Sequence, residues 1–97
     1  MNPQICDAIR ARAVIRFDYK GGPRVAEPHC HGLSRTGKEV LRAYQTDGYS
    51  QSGDVRGWKM FEVAEMFGIE EIGDSFADSR AGYNPDDQHM TSIHCKV

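Results

Sequence analysis

Apolar and polar residues follow one helical pattern and then several short alternating patterns along this chain. Ile5, Ile9 and Ala13 recur every four residues behind Asn2 and Pro3, a pair typical of an N-cap and a first helical position, which predicts a helix over about residues 3–12. Alternation with a period of two then predicts strands near residues 15–19, 39–46, 58–63 and 93–97. Residues 24–33 return as a strand after a turn, and the apolar cluster at residues 66–72 indicates a turn and a strand.

Several residues indicate where these strands turn, end or are interrupted. Gly21 and Gly22 supply a turn after the first strand, and the loop over residues 47–57 is long for a simple hairpin, which favours a functional loop. Pro28 has no amide hydrogen to donate, so we expect it at an edge, a bulge or a bend of the second strand.

One leading helix followed by short strands predicts a single domain over residues 1–97. We expect a mainly β domain with an N-terminal helix, an α+β fold, whose sheet closes as a small barrel. The barrel strands occupy about residues 14–72. Residues 73–97 form a C-terminal connector and a closing strand.

The composition is that of an ordinary globular protein, with 39% hydrophobic and 27% charged residues. No apolar run approaches the roughly 18 residues that span a bilayer, so we expect no membrane segment. The start of the chain shows no basic region followed by an apolar stretch, which favours a cytoplasmic protein. Cys6, Cys30 and Cys95 lack the spacing of a disulfide framework, and we expect three free thiols.

The net charge of −2 argues against a non-specific nucleic-acid binder, but the charges are unevenly distributed. Residues 1–60 carry ten Lys or Arg against six Asp or Glu, and residues 61–97 carry two against eight. Such an asymmetry predicts a positive patch on a weakly acidic protein, unless both halves are ordinary solvated faces.

Arg42 and Lys59 lie on neighbouring predicted strands, and we expect them to point to the same face of the sheet. A guanidinium offers paired donors to phosphate or carboxylate, and an ammonium adds a point charge. Arg16 and Arg24 can join them from the preceding strands. The alternative is a solvated sheet face.

Aromatic and small polar residues add to this surface. Tyr44 and Trp58 either stack on nucleobases or fill the core. Ser50 and Ser52, with Gly53, either form an anion-holding nest or belong to an ordinary polar loop. The segment 80–84 either folds over the same face or ties the last strand to the barrel, and we favour the second, structural role.

Seven segments occur in an order typical of one family: Ala8–Arg10, Val14–Tyr19, Arg24-Val25, Glu27–His29, Gly32-Leu33, Leu41–Tyr44 and Gly57–Phe61. Over about residues 5–72 the chain resembles a short, free-standing WYL domain. The resemblance implies an SH3-like or Sm-like β-barrel that senses nucleic acid or another ligand. The chain has Glu39-Val40-Leu41 where the family's Trp-Tyr-Leu run falls. It shows no helix-turn-helix pattern, so we expect no DNA reading by a fused module.

A metal site is the weaker interpretation of the histidines and cysteines. His29 and His31 are expected to share a strand face, and Cys30, His94 and Cys95 are further candidate ligands. Their spacing is not that of a zinc finger, so we expect no metal, no cofactor and a buried or hydrogen-bonded His29. No nucleophile-and-base or paired-carboxylate pattern stands out, so we expect no enzyme.

The sequence therefore favours a non-enzymatic ligand-binding or regulatory module. It would hold an anionic ligand, such as a nucleotide or a single-stranded nucleic acid, by charge pairing and stacking. The expected ligand-binding residues are Arg16, Arg24, Arg42, Tyr44, Ser50, Ser52, Trp58 and Lys59. The alternative is a protein–protein interaction or homo-oligomeric assembly module, with a second copy or a regulator as its partner.

Overall fold

The computed structural model describes residues 2–97 and begins with helix α1 (Pro3–Ala11). Asn2 caps the helix, because its Oδ1 accepts the amide hydrogens of Gln4 and Ile5 at 2.9 and 3.4 Å. Ile5, Ala8 and Ile9 are buried along one side of the helix. The predicted N-capped amphipathic helix is therefore confirmed.

Six strands follow the helix, and each overlaps a segment that the sequence predicts to be a strand. They are β1 (Ala13–Tyr19), β2 (Gly22–Ser34), β3 (Glu39–Gly48), β4 (Gly57–Glu62), β5 (Phe67–Ser75) and β6 (Met90–Lys96). A short 3₁₀ turn at Val63–Glu65 separates β4 from β5. The strands form one antiparallel sheet in the order β4-β3-β2-β1-β5, and β6 pairs with β2.

The long strand β2 bends near Pro28 and changes partners there. Its first half pairs with β1 and its second half with β6, while β3 runs along its other side. In the ladder with β3, Pro28 is opposite Ala43 and Cys30 is opposite Arg42, so His29 is the extra residue of a bulge. The interruption expected at Pro28 is therefore confirmed.

Hydrogen bonding does not close the sheet within residues 2–97. The outer strands β4 and β5 pair with β3 and β1 but not with each other. The mainly β fold with a leading helix is confirmed, whereas the closed barrel is not. Among the helices of the described residues, none has the length and apolar character that crossing a bilayer requires.

Different parts of the chain pack against the two faces of the sheet. The inner face packs against α1, and Phe17, Tyr19 and Phe61 form an aromatic group there, with 4.9 Å from the Phe61 centroid to each of the other two. Residues 76–89, which we call the connector, lie over the outer face of β2, β3 and β4. Side chains on the inner face of the sheet therefore point towards α1, and side chains on the outer face of β2, β3 and β4 point towards the connector.

Candidate functional site

Arg42 and Lys59 lie on opposite faces of the sheet. In the ladder between β3 and β4, Arg42 is opposite Met60 and Lys59 is opposite Ala43. Directly opposed residues share a face and successive residues alternate, so Lys59 is on the inner face with the buried Ala43 and Arg42 is on the outer face. The prediction of one cationic face that contains both residues is wrong.

Arg42 is neutralised on the outer face by an acidic neighbour. Its Nε and Nη2 donate to the two carboxylate oxygens of Asp87 at 2.8 and 3.5 Å. Burial opposes the ionisation of Asp87, but hydrogen bonds from Arg42 and from the amide of His89 outweigh it and lower the pKa of the carboxyl group. These residues line a cleft of about 420 Å³ beside Trp58 and Tyr83. Arg42, the arginine that lines this cleft, is thus already paired with a carboxylate.

Tyr44 and Trp58 also lie on the outer face, beneath the connector. Trp58 Nε1 donates to the carbonyl oxygen of Ala81 at 3.0 Å, and the Trp58 ring stacks on Tyr83 at 6.1 Å between centroids. The guanidinium of Arg80 lies 4.6 Å from the centroid of Tyr44. Both rings therefore hold the connector in place, and neither belongs to the buried core.

The connector is further tied down through His29 and Glu27. Arg80 Nε and Nη2 donate to the Glu27 carboxylate at 2.7 and 3.1 Å, and the Arg80 amide donates to His29 Nε2 at 3.1 Å. His29 Nδ1 donates in turn to the Glu27 carbonyl at 2.8 Å. Burial lowers the pKa of His29, which keeps the ring neutral. The hydrogen-bonded role of His29 is confirmed. The segment 80–84 folds over the face of Tyr44 and Trp58, which was the alternative that was not favoured, and its contacts there are with the sheet itself.

Arg16 is likewise paired, so it does not join Arg24. Its Nη2 lies 3.9 Å from Asp18, and its Nη1 lies 3.9 Å from Glu70. Glu70 belongs to the acidic half of the chain, which also supplies Glu62 to Lys38. The charge asymmetry along the chain is therefore partly cancelled across the sheet, and it does not produce one broad positive face.

Four of the predicted site residues do meet in one cavity: Arg24, Ser50, Ser52 and Lys59. This cavity, which we call the Arg24 cleft, lies on the inner face where β2 and β4 meet the loop 49–56, and its volume is about 220 Å³. Its remaining lining residues are Tyr19, Gln51, Met60 and Phe61. The other four predicted site residues lie on the outer face.

The guanidinium of Arg24 is enclosed by aromatic rings. The side chain is 5% exposed, and its Cζ lies 5.3 Å from the ring centroid of Tyr19, 5.4 Å from that of Tyr49 and 5.8 Å from that of Phe61. Ring faces attract a cation, and this attraction grows when water is excluded. The aromatic residues therefore stabilise the charge of Arg24 inside the fold.

The hydrogen-bonding capacity of Arg24 is only partly used. Nη1 donates to Gln45 Oε1 and Nη2 donates to the Lys20 carbonyl, each at 3.3 Å, while Nε has no partner. Of the five N–H donors of a guanidinium, these two bonds leave three unused (5 − 2). Within residues 2–97, neither Arg24 nor Lys59 has a carboxylate oxygen within 4.0 Å. The cleft therefore has positive charge without a protein counter-charge.

Lys59 and two serines form the mouth of the cleft. Lys59 Nζ donates to the Asp54 carbonyl at 2.6 Å and to Ser50 Oγ at 3.4 Å, and Ser50 Oγ is 3.0 Å from Ser52 Oγ. The Gly53 amide already donates to the Ser50 carbonyl at 3.3 Å. Of the two alternatives for this loop, the anion-holding nest therefore lacks the Gly53 amide, and the available donors are hydroxyls and an ammonium.

Comparisons with protein-family models, with curated proteins and with solved structures find no match for this chain. The chemistry of the Arg24 cleft is therefore the basis on which a function can be assigned.

Two residues that sequence reasoning missed organise the cleft. Gln45 is fully buried, and its Nε2 donates to the Tyr49 carbonyl at 2.9 Å while its Oε1 accepts from Arg24. A polar residue in the inward-facing series Leu41, Ala43, Gln45 was the available signal. Tyr49 carries no comparable local signal, because its place beside Arg24 depends on the path of the loop.

Two of the three cysteines are not free. A disulfide joins Cys6 on α1 to Cys95 on β6, so the prediction of free thiols is wrong for this pair and confirmed for the buried Cys30. His31 lies beside the disulfide, whereas His29 packs under the connector. The bulge at His29 separates these two rings, and the expected common face of His29 and His31 is therefore wrong.

Proposed function

We propose that the protein is a non-enzymatic ligand-binding module that holds a phosphate group of a nucleotide or a single-stranded nucleic acid in the Arg24 cleft. The observation that carries this proposal is a buried guanidinium with no carboxylate partner in residues 2–97, next to the ammonium of Lys59. Removing a charge from water is unfavourable unless an opposite charge compensates it. A bound anion supplies that compensation.

Phosphate suits the donors of the cleft. The planar guanidinium of Arg24 can donate two parallel hydrogen bonds, Lys59 contributes a point charge, and Ser50 and Ser52 contribute hydroxyls. The volume of about 220 Å³ lies below the roughly 300–1,000 Å³ of sites that enclose a drug-sized ligand. We therefore expect the phosphate group inside the cleft and the rest of the ligand outside it.

Tyr49 offers a stacking surface for that outer part. Its ring is 43% exposed and lies against the buried Arg24 guanidinium. Stacking of a base on an aromatic side chain contributes about 1–3 kcal/mol and tolerates any base. Tyr49 thus takes the role that the sequence assigned to Tyr44 and Trp58.

The lining of the cleft favours binding over turnover. Its eight residues offer hydroxyls, an amide, two cations, aromatic rings and a thioether, with no carboxylate, imidazole or thiol among them. General-base catalysis most often uses a histidine or a carboxylate, and the lining contains neither. The lining therefore supports a module that holds its ligand unchanged.

The family and the detailed fold of the protein are also part of this proposal. We propose a WYL-type, SH3-like or Sm-like barrel that acts as a cytoplasmic regulatory sensor. The support is the element order, since a leading helix followed by a six-stranded antiparallel sheet is the coarse plan that the resemblance implies.

Fluorescence anisotropy with a labelled oligothymidylate, measured over a series of salt concentrations, tests the function. Wild-type protein is expected to bind with an affinity that falls as salt rises. Arg24→Met and Lys59→Met should each weaken binding and reduce the salt slope by about one phosphate contact. Competition by inorganic phosphate and by a mononucleotide then shows how much of the ligand beyond the phosphate is recognised.

Arg16→Met is the matched control, because it removes a half-exposed cation of the outer face that is already paired. Its affinity should equal that of the wild type, and circular dichroism should show all variants folded. Absence of binding at low salt contradicts the proposal. So does a folded Arg24→Met variant with wild-type affinity.

An assembly module is the second candidate, because one edge of the sheet exposes apolar side chains. Within the described residues β5 pairs with β1 alone, and on β5 Phe67 is 64% exposed and Ile72 is 39% exposed. Exposed apolar edge strands are prone to pair with another chain. Light scattering at rising protein concentration tests this: a dimer abolished by Phe67→Ser supports it, and a monomer throughout contradicts it.

A further inference from the structure

Three buried side chains with metal-binding atoms converge between the helix and the sheet. Cys6 comes from α1, His31 from the second half of β2 and Cys95 from β6. Their sulfur and nitrogen atoms all lie within 4.8 Å of one another. The three residues are 25 and 64 positions apart along the chain, so only the folded protein brings them together.

The distances suit a tetrahedral thiolate and imidazole centre. His31 Nδ1 lies 3.4 Å from Cys6 Sγ and 3.9 Å from Cys95 Sγ. In a tetrahedral zinc site with Zn–S near 2.3 Å and Zn–N near 2.0 Å, a sulfur and a nitrogen ligand are about 3.5 Å apart. The backbone thus already places the imidazole at the right distance from both sulfur atoms.

The orientation of His31 is set from its far side. Its Nε2 donates to Glu39 Oε2 at 2.5 Å, and the same oxygen accepts the Asn2 amide at 2.8 Å. With the ring hydrogen on Nε2, the lone pair of Nδ1 points towards Cys6 and Cys95. A carboxylate that binds the outer nitrogen of a histidine in this way is the usual support of a metal-ligating imidazole.

We propose that Cys6, His31 and Cys95 form a zinc site that is available when the Cys6–Cys95 disulfide is reduced. The disulfide and the metal exclude one another, because both use the same two sulfur atoms. Three protein ligands leave a fourth position to water or a small ligand. Cys95 is the most exposed of the three residues, at 8%. This site is separate from the Arg24 cleft and independent of the function proposed for it.

Conversion between the disulfide and the zinc-bound form needs only a reductant in one direction and an oxidant in the other. A phosphine reduces the disulfide by taking the oxygen of one water molecule, and the two hydrogens of that water become the thiol hydrogens of Cys6 and Cys95. Zinc binding then displaces both protons, since thiolates are the ligands. In the reverse direction, two thiolates give two electrons to a peroxide, which takes up two protons and becomes water and an alcohol or a second water. The zinc ion leaves without a change of charge.

Cobalt titration tests the site, because Co²⁺ takes up the same ligands as zinc and its thiolate-to-cobalt absorption reports bound sulfur. Phosphine-reduced wild-type protein is expected to bind a single cobalt ion per chain, which zinc displaces. The oxidised protein should show no such absorption. This comparison needs no substitution. Cys30→Ser should bind like the wild type, because Cys30 lies in a different apolar cluster, where its Sγ is 3.7 Å from Met90 Sδ.

Substitutions then assign the ligands. Cys6→Ser and Cys95→Ser should abolish the sulfur-to-cobalt absorption or halve it, and Glu39→Gln should weaken metal affinity by about 10- to 100-fold without removing a ligand. A reduced wild-type protein that stays folded and binds no cobalt overturns the proposal and leaves the pair as a disulfide alone. The same holds if the reduced chain unfolds and cobalt does not refold it, or if Cys30→Ser loses the absorption while Cys6→Ser keeps it.

Discussion

Arg42 and Lys59 occupy adjacent register positions on β3 and β4 and point to opposite faces of the sheet. On the outer face, Arg42 binds Asp87 of the connector. On the inner face, Lys59 donates to Ser50 and to a loop carbonyl, and no carboxylate of residues 2–97 lies within 4.0 Å of it. Arg42 therefore joins two parts of the fold, whereas Lys59 keeps its charge available at the Arg24 cleft.

Arg42→Ala is expected to lower stability and leave ligand binding unchanged. The substitution leaves the buried carboxylate of Asp87 without its guanidinium partner, which should reduce the free energy of unfolding by about 1–3 kcal/mol. Urea denaturation measures this loss, and anisotropy with the labelled oligonucleotide measures binding. A weaker oligonucleotide affinity together with unchanged stability would show that Arg42 contacts the ligand. It would contradict the assignment of ligand binding to the inner face alone.

Asp87 should make the protein less stable in acid. Burial raises its pKa, but hydrogen bonds from Arg42 and from the His89 amide lower it more, so the folded value lies below the ordinary 3.8. A carboxyl group of this kind contributes stability above its unfolded pKa and loses it as the pH falls through the folded value. The urea midpoint of the wild type should therefore fall more steeply below about pH 5 than that of Asp87→Asn. Parallel pH curves of the two proteins would contradict this role.

Local signals predicted the elements of the fold. The pair Asn2-Pro3 marked the start of α1. Period-two alternation located β1, β3, β4 and β6, while a turn signal and an apolar cluster located β2 and β5. Pro28 marked the bend of β2, because a residue without an amide hydrogen interrupts a ladder wherever it occurs. These features depend on a few neighbouring residues, which is why the sequence alone was enough.

The site depended on relations that no local pattern encodes. The faces of Arg42 and Lys59 follow from the register across the long loop, and a shift of one residue in that register would place both on the same face. Asp87 and Arg80 reach the sheet from segments 45 and 53 residues away from their partners. The bulge at His29 reverses the alternation that was expected to place His29 and His31 together. Four of the eight expected site residues share the Arg24 cleft, and only the folded chain shows which four.

Arg24→Met should separate binding from stability. Methionine fills a similar elongated space among Tyr19, Tyr49 and Phe61 and carries no charge that must be compensated. Replacement of a buried ion pair by apolar residues is often neutral or stabilising by about 1–4 kcal/mol, and the substitution of Arg24 leaves no charged partner behind in residues 2–97. The ligand-free variant should therefore unfold at the same or a higher urea concentration, and its melting temperature should no longer rise with added phosphate. A loss of stability beyond about 3 kcal/mol would show that Arg24 is structural.

Tyr49→Ala should distinguish the base from the phosphate. Tyr49 is not among the lining residues of the Arg24 cleft, and without its ring Arg24 still keeps the rings of Tyr19 and Phe61 and its hydrogen bond to Gln45. We expect oligonucleotide affinity to fall by about 1–3 kcal/mol and the affinity for inorganic phosphate to stay the same. Anisotropy measures the first and isothermal calorimetry the second, with Tyr49→Phe as the variant that keeps the ring. Equal losses of affinity for both ligands would mean that Tyr49 acts by holding Arg24. Equal oligonucleotide affinities of the wild type, Tyr49→Ala and Tyr49→Phe would show that stacking does not contribute to binding.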